Sequence, residues 1–257
     1  MPGLSELYQQ SGERLDTLEN GKRYVLQKPQ HFCFGMDAVL LAQLTKVKAG
    51  DLVCDFGTGS GIIPLLLSGR RDDIKIIALE IQKELADMAQ RSVFMNGMQN
   101  QISVLEADFC TASSLFGSGV FSLIVTNPPY RPLNRGLINP VHEKAVARHE
   151  LQGDLEKWVQ EAARLLKPMG RLAMVYRPQR LVELITVLKA NQLEPKRMIL
   201  IQPKSNRAPN LVFLESVKGA NPEIIVERPL IIYHQTGEYT DELWSIYQGG
   251  GRIEESP

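Results

Sequence analysis

The chain has 257 residues, enough for one large α/β domain with small additions. Apolar residues make up 44% and charged residues 23%, and the formal net charge is zero, which excludes a polycation that grips nucleic acid by bulk charge. Any such contact has to come from a local basic patch.

Three scattered cysteines, Cys33, Cys54 and Cys110, are odd in number and lack metal-ligand spacing, so reduced thiols and no metal are expected. The N-terminus lacks a signal-peptide pattern, and no apolar run approaches the roughly 20 residues of a membrane span. The expected location is the cytoplasm, with no membrane partner.

Residues 1–20 are polar and read as irregular or loosely helical. Short extended pieces follow around Pro29, and a helix carrying Val39, Leu40, Leu41 and Leu44 starts at Asp37. From Asp51 strands and helices alternate: DLVCDF, a Gly-rich turn, the apolar helix IIPLLLSG, the strand IKIIALE (74–80) and the amphipathic helix QKELADMAQRSVFMNG. QISVLEAD (101–108) and FSLIVT (121–126) are two more strands, and DLEKWVQEAARLLKPMG (154–170) is a helix stopped by Pro168 and Gly170 before the strand RLAMVY. After the helix LVELITVLKANQ come RMILIQP, NLVFLESVK and EIIVERPLIIY, strands without intervening helices.

Alternation of this kind predicts an α/β fold with a mostly parallel sheet covered on both faces, finished by an antiparallel C-terminal edge. The expected division is an N-terminal extension and helix over 1–44, the main domain over 45–250, and a frayed tail over 251–257.

The segment DFGTGSG places Gly57, Gly59 and Gly61 between a strand and a helix, where glycine permits positive φ and close approach of a ligand. A lone G-x-G-x-G is equally a tight turn with no ligand. Glu80 ends the next strand 19 residues after Gly61, placed to accept from ribose hydroxyls, and Asp108 ends the third. A dinucleotide fingerprint would be one residue longer, and Asp55 ahead of the turn would repel a diphosphate. An acid there suits a ligand with an amino group and a sulfonium charge, which favours S-adenosylmethionine over NAD.

The strand FSLIVT runs into Asn127-Pro128-Pro129-Tyr130. An isolated match is usually just a stiff turn. Beside a methyl donor it gains a use, because the Asn127 side-chain carbonyl and the Pro128 carbonyl are rigid acceptors for both hydrogens of a planar NH₂. Tyr130 can stack on the attached ring. With a strand order 3-2-1-4-5, this turn and the glycine turn flank the crevice at the C-terminal strand ends.

Together, DFGTGSG, Glu80, Asp108 and NPPY resemble the class I S-adenosylmethionine-dependent amino-methyltransferases, with their Rossmann-like, mostly parallel seven-stranded sheet. Three further stretches, QKPQHFCFGMDAVLLA (27–42), NPPYRPLNRGLINPVHEKAVARHE (127–150) and RLLKPMGRLAMVYRPQRL (164–181), resemble the bacterial family that methylates N6 of an adenine in the anticodon loop of a valine tRNA. The resemblance implies that Asp55, Gly57, Thr58, Gly59 and Gly61 line the methionine end of the cofactor. It also implies that Glu80 holds the ribose, Ile81 packs on the adenine, and Asp108 and Phe109 bound its edge. Asn127, Pro128 and Tyr130 would hold the target base, with Phe34 and Asp37 beside them; Asp37 is equally readable as an N-cap.

Arg131, Arg135, Lys144 and Arg148 follow the proline turn and are candidate phosphate contacts in a Pro/Gly-punctuated stretch, or an ordinary solvated loop. Lys204 and Arg207, with Lys28 and His31, are candidates to extend that patch. The competing functions are methylation of a protein glutamine, of another nucleic-acid amine, or cofactor binding without turnover. A monomer is expected, a homodimer being the alternative.

Overall fold

The computed structural model describes residues 7–19, 21–29, 35–128 and 155–248. Residues 7–13 are helical at their start and then irregular, in line with the expectation. From Arg14 the chain instead forms an antiparallel hairpin, β1 (Arg14–Leu18) and β2 (Arg23–Gln27), a departure from the expectation for the first 20 residues. Its stability comes from elsewhere in the chain. Asn96 exchanges hydrogen bonds with the Tyr24 backbone (2.9 and 2.6 Å), and Leu26 N–H donates to Ser92 Oγ at 3.0 Å. A local reading of polar residues could not supply those partners.

Helix α1 (Met36–Leu44) is buried from Ala38 to Leu44. It precedes β3 (Leu52–Phe56), α2 (Ile62–Ser68), β4 (Lys75–Glu80), α3 (Lys83–Met95), β5 (Ile102–Glu106), α4 (Ala112–Phe116) and β6 (Phe121–Thr126). Residues 155–165 form helix α5, followed by β7 (Leu166–Tyr176), α6 (Leu181–Ala190), β8 (Leu193–Gln202), β9 (Leu211–Lys218), the short β10 (Ile225–Val226) and β11 (Leu230–Ile231), and α7 (Asp241–Tyr247).

The strands from β3 onward form one sheet in the order β10-β8-β9-β7-β6-β3-β4-β5, with β11 also on β8. The five strands of the alternating unit therefore take the order 3-2-1-4-5. All pairings are parallel except those of β9, which lies antiparallel between β7 and β8. The antiparallel character is thus confined to one strand inside the C-terminal part, and β10 and β11 pair with β8 in parallel.

The helix expected over 154–170 stops at 165, short of Pro168 and Gly170. Leu166 is instead captured by Phe121 of β6, and after a register shift the pairing resumes at Leu123 with Arg171. The intervening Lys167, Pro168 and Met169 are exposed, and Met169 takes φ 62°.

Two apolar layers cover the sheet. One is built on α1, α2 and α7 with Val53, Ile76 and Phe213; the other is built on α5 and α6 with Phe56, Ile124 and Met174. Strands β3, β4 and β6 are mostly apolar and buried, as a sheet covered on both faces requires. Among the described residues no helix is long and apolar enough to cross a membrane.

Candidate active site

In parallel register Phe56 of β3 pairs with Thr126 of β6 and with Leu79 of β4. The glycine turn, the Asn127-Pro128 turn and Glu80 therefore leave three adjacent strands at the same level, on the C-terminal edge where open α/β sheets bind ligands. The expected strand order is present, and it sets the glycine turn, the start of the proline turn and Glu80 side by side on that edge.

The turn is built from positive-φ glycines. Gly57 has φ 69° and Gly61 has φ 87°. A Cβ on Gly61 would stand 3.2 Å from Ala89 Cβ of α3, so both its backbone angle and its packing demand glycine. Thr58 N–H donates to Leu79 O at 2.9 Å, and Gly61 N–H to Thr58 O at 3.0 Å, which fixes the turn against β4.

Asp55 is fully buried, and neither carboxylate oxygen has a hydrogen-bond partner among the described residues; the buried Thr58 hydroxyl is likewise unpartnered. Burial pushes the Asp55 carboxyl from its ordinary 3.8 to about 7, with the charge of Glu80 adding to the rise and Thr58 opposing it. An isolated buried acid is costly, and a cation placed beside it removes the cost. Unmet acceptors one residue ahead of a glycine turn fit the ammonium group of an amino-acid ligand.

Glu80 is buried and already accepts two backbone bonds at 2.9 Å, Gly59 N–H on Oε2 and Gln82 N–H on Oε1. It latches the glycine turn to the end of β4, and each oxygen keeps a second lone pair for a ligand hydroxyl. Ile81, the next residue, is 63% exposed, an apolar side chain left uncovered beside a buried acid. Asp108 caps the short turn Phe109–Thr111, accepting from Cys110 N–H at 2.9 Å.

Phe109 does not stand alone at this edge. Its ring lies 4.0 Å from that of Trp158 and 5.4 Å from that of Phe56, so three aromatic rings make one wall. Trp158 on α5 was not singled out in the sequence. Its indole sits against the glycine turn, at 3.3 Å from the point a Cβ on Gly57 would occupy. The i, i+4 apolar pattern of α5 marks it as a core-facing residue and nothing more.

Asn127 is half-buried and Pro128 buried. Phe34, Tyr130, Arg131, Arg135, Lys144 and Arg148 lie outside the described residues, as does His31. Asp37 is not the N-cap of α1, which is Gly35; it lies in the first turn, with Arg177 from the end of β7 at 3.9 Å. Lys28 is paired with Glu84 at 3.1 Å.

The model of the methyltransferase small domain family matches residues 34–192, a span that holds the glycine turn, Glu80, Asp108 and the proline turn. A tRNA1(Val) (adenine(37)-N6)-methyltransferase of Porphyromonas gingivalis is 30% identical over 81% of this chain and 84% of its own length. One of the same name from Tolumonas auensis is 29% identical over 82% and 86%.

Among solved structures, a predicted O-methyltransferase from Agrobacterium tumefaciens has a TM-score of 0.69 at 23% identity, covering 85% of this chain and 98% of that one. The geranyl diphosphate C-methyltransferase of Streptomyces coelicolor, solved with S-adenosyl-L-homocysteine, has a TM-score of 0.52 at 12% identity over 70% and 76%. These likenesses establish a class I methyltransferase architecture. With the family model spanning more than half of its residues, the chain belongs to the methyltransferase small domain family.

Proposed function

We propose that this protein transfers a methyl group from S-adenosylmethionine to the exocyclic N6 amine of an adenine in the anticodon loop of tRNA. The observation that carries the cofactor side is the buried Asp55 carboxylate with no hydrogen-bond partner among the described residues, one residue ahead of the turn of Gly57, Gly59 and Gly61. S-adenosylmethionine supplies an electrophilic methyl on a sulfonium sulfur, which departs as a neutral thioether. Asp55 and Thr58 meet its amino group, Glu80 its ribose hydroxyls, and Ile81 with the Phe109–Trp158 wall its adenine.

On the substrate side, the Asn127 side-chain carbonyl and the Pro128 carbonyl accept the two hydrogens of the target amine. The nitrogen lone pair then points away from both acceptors, toward the glycine turn on the neighbouring strand. The N–C bond forms as the S–C bond breaks, and the methylated nitrogen then releases a proton to water. No side chain of tuned pKa is needed for that order of events; positioning supplies the rate. The adenine amine and the tRNA follow the substrate named for the relatives, adenine 37 of a valine tRNA, and a tRNA substrate is consistent with a cytoplasmic enzyme.

The test uses purified protein, labelled S-adenosylmethionine and separate pools of tRNA, rRNA and release factor, followed by digestion and identification of the labelled product. N6-methyladenosine from tRNA is expected; label in glutamine, or in no pool, overturns the reading. Asn127→Ala is expected to lower kcat by roughly 100-fold or more while cofactor affinity stays within about twofold. Loss of both would mean that Asn127 serves the cofactor and not the target base.

A further inference from the structure

The strand ends that carry the proline turn continue sideways into a second surface. Thr126 of β6 pairs with Met174 of β7, Tyr176 of β7 with Val212 of β9, Ile201 of β8 with Leu211, and Ile231 of β11 with Gln202. Arg177, the loop 203–210 and the segment from Tyr233 onward therefore all emerge on the same edge as Asn127. Three strand steps separate Asn127 from Gln202, about 14 Å at the usual spacing.

This surface is held firmly. Arg177 donates to Asn210 O at 2.9 Å, Gln202 Nε2 to Arg207 O at 3.1 Å, and Tyr233 N–H to Pro203 O at 2.9 Å. Lys204 Nζ reaches Gln235 O and Gln235 Nε2 reaches Ser205 Oγ, each at 3.0 Å. Against the loop stands an aromatic group. Tyr233 and Tyr239 are stacked at 5.2 Å, and Trp244 meets Tyr239 edge-on at 5.5 Å with 47% of its own surface exposed.

The loop PKSNRAPN holds two cations and no acid. Arg207 is exposed, and its guanidinium has no partner among the described residues. In the neighbouring segment Glu242 is already paired with Arg228 at 2.8 Å, leaving Glu238 and Asp241.

From this juxtaposition we infer an RNA docking platform: Lys204 and Arg207 meet phosphates, and the Trp244–Tyr239 group stacks on an unpaired base flanking the target. The exposed Trp244 ring, backed by Tyr239 beside a hydrogen-bonded, acid-free basic loop on the same edge as the amine-binding turn, matches a strand that displays both phosphates and bases. The platform rests on the tRNA reading above and adds to it the part of the protein that holds the substrate beyond the reacting base.

The test measures binding and methylation of the tRNA transcript at several salt concentrations, with S-adenosylmethionine saturating. The Lys204→Ala/Arg207→Ala variant should raise KM for tRNA about tenfold, leave kcat and cofactor affinity unchanged, and flatten the log K against log salt slope by roughly one for each lost contact. Arg207→Lys should keep the slope. Trp244→Ala should weaken binding about tenfold without changing the slope. Unchanged cofactor affinity shows that the variants are folded. Wild-type methylation with KM and slope unaltered in the variants overturns the platform alone. Absence of any tRNA methylation by wild type overturns the tRNA reading and the platform with it.

Discussion

Two buried aspartates stand at opposite ends of β3, and the protein treats them in opposite ways. Asp51, ahead of the strand, accepts from Arg171 Nη2 at 2.6 Å, Ser122 Oγ at 2.7 Å and Lys48 N–H at 2.7 Å. Asp55, at the crevice end, accepts from nothing among the described residues. One end of the sheet is closed by a satisfied polar network linking β3, β6 and β7. The other keeps an acceptor pair unmet among the described residues, whose desolvation cost a bound cation would offset. The contrast separates an acid that holds the fold from one that, on the proposed function, meets the cofactor, in residue types that look identical.

The largest effect should come from breaking the closed end. Asp51→Ala leaves the Arg171 guanidinium buried with Glu215 at 4.0 Å as its remaining acid, and a buried pair broken on one side costs about 3–5 kcal/mol. Chemical denaturation reads it directly; a loss under about 1 kcal/mol would mean that the network does not close this end.

At the other end the sign reverses. The Asp55 carboxyl titrates at 3.8 when exposed and about 7 when folded, so between these values the folded state holds an extra proton. Stability of the ligand-free protein should therefore fall as pH rises through that window, by about 4 kcal/mol at 1.36 kcal/mol per pH unit. Asp55→Asn should flatten this dependence and be the more stable protein at pH 8, while binding S-adenosylmethionine about 10–100-fold more weakly for want of the charge-assisted bond. A destabilised Asp55→Asn at pH 8, or one with full affinity, would erase the contrast between the two aspartates.

That contrast was only half legible in the sequence. Gly57, Gly59, Gly61 and the Asn127-Pro128 pair are readable because their residue types encode backbone geometry and donor supply, which are local properties. The alternation from Asp51 onward likewise fixed a parallel sheet. What escaped depends on partners distant along the chain. Asp51 is structural because of Ser122 and Arg171, and the β1–β2 hairpin forms because Asn96 and Ser92 receive it. α5 stops at 165 because Phe121 pairs with Leu166, ahead of the Pro168 that local rules favoured. Asp37 reads as a cap, but the helix starts one residue earlier at Met36 with Gly35 at the cap, and Arg177 stands beside the Asp37 side chain. Trp158 was missed for the same reason, since its neighbours Phe109 and Gly57 are far away in sequence.

Trp158 gives the smallest of these effects and sharpens where the binding end stops. If its ring belongs to the fold alone, Trp158→Leu should change stability and leave cofactor affinity untouched. If it belongs to the crevice, affinity should fall while stability moves by about 1 kcal/mol, because leucine keeps most of the apolar volume. The 3.3 Å approach to Gly57 and the 4.0 Å ring contact with Phe109 favour the second outcome. Aromatic contacts of this kind are worth about 0.5–1.5 kcal/mol, so the dissociation constant for S-adenosylmethionine should rise roughly 2–10-fold. Trp158→Phe, which keeps a ring against Phe109, should recover most of that loss in calorimetric titration. Equal affinity in all three proteins would move the boundary of the site inward, to Gly57 itself.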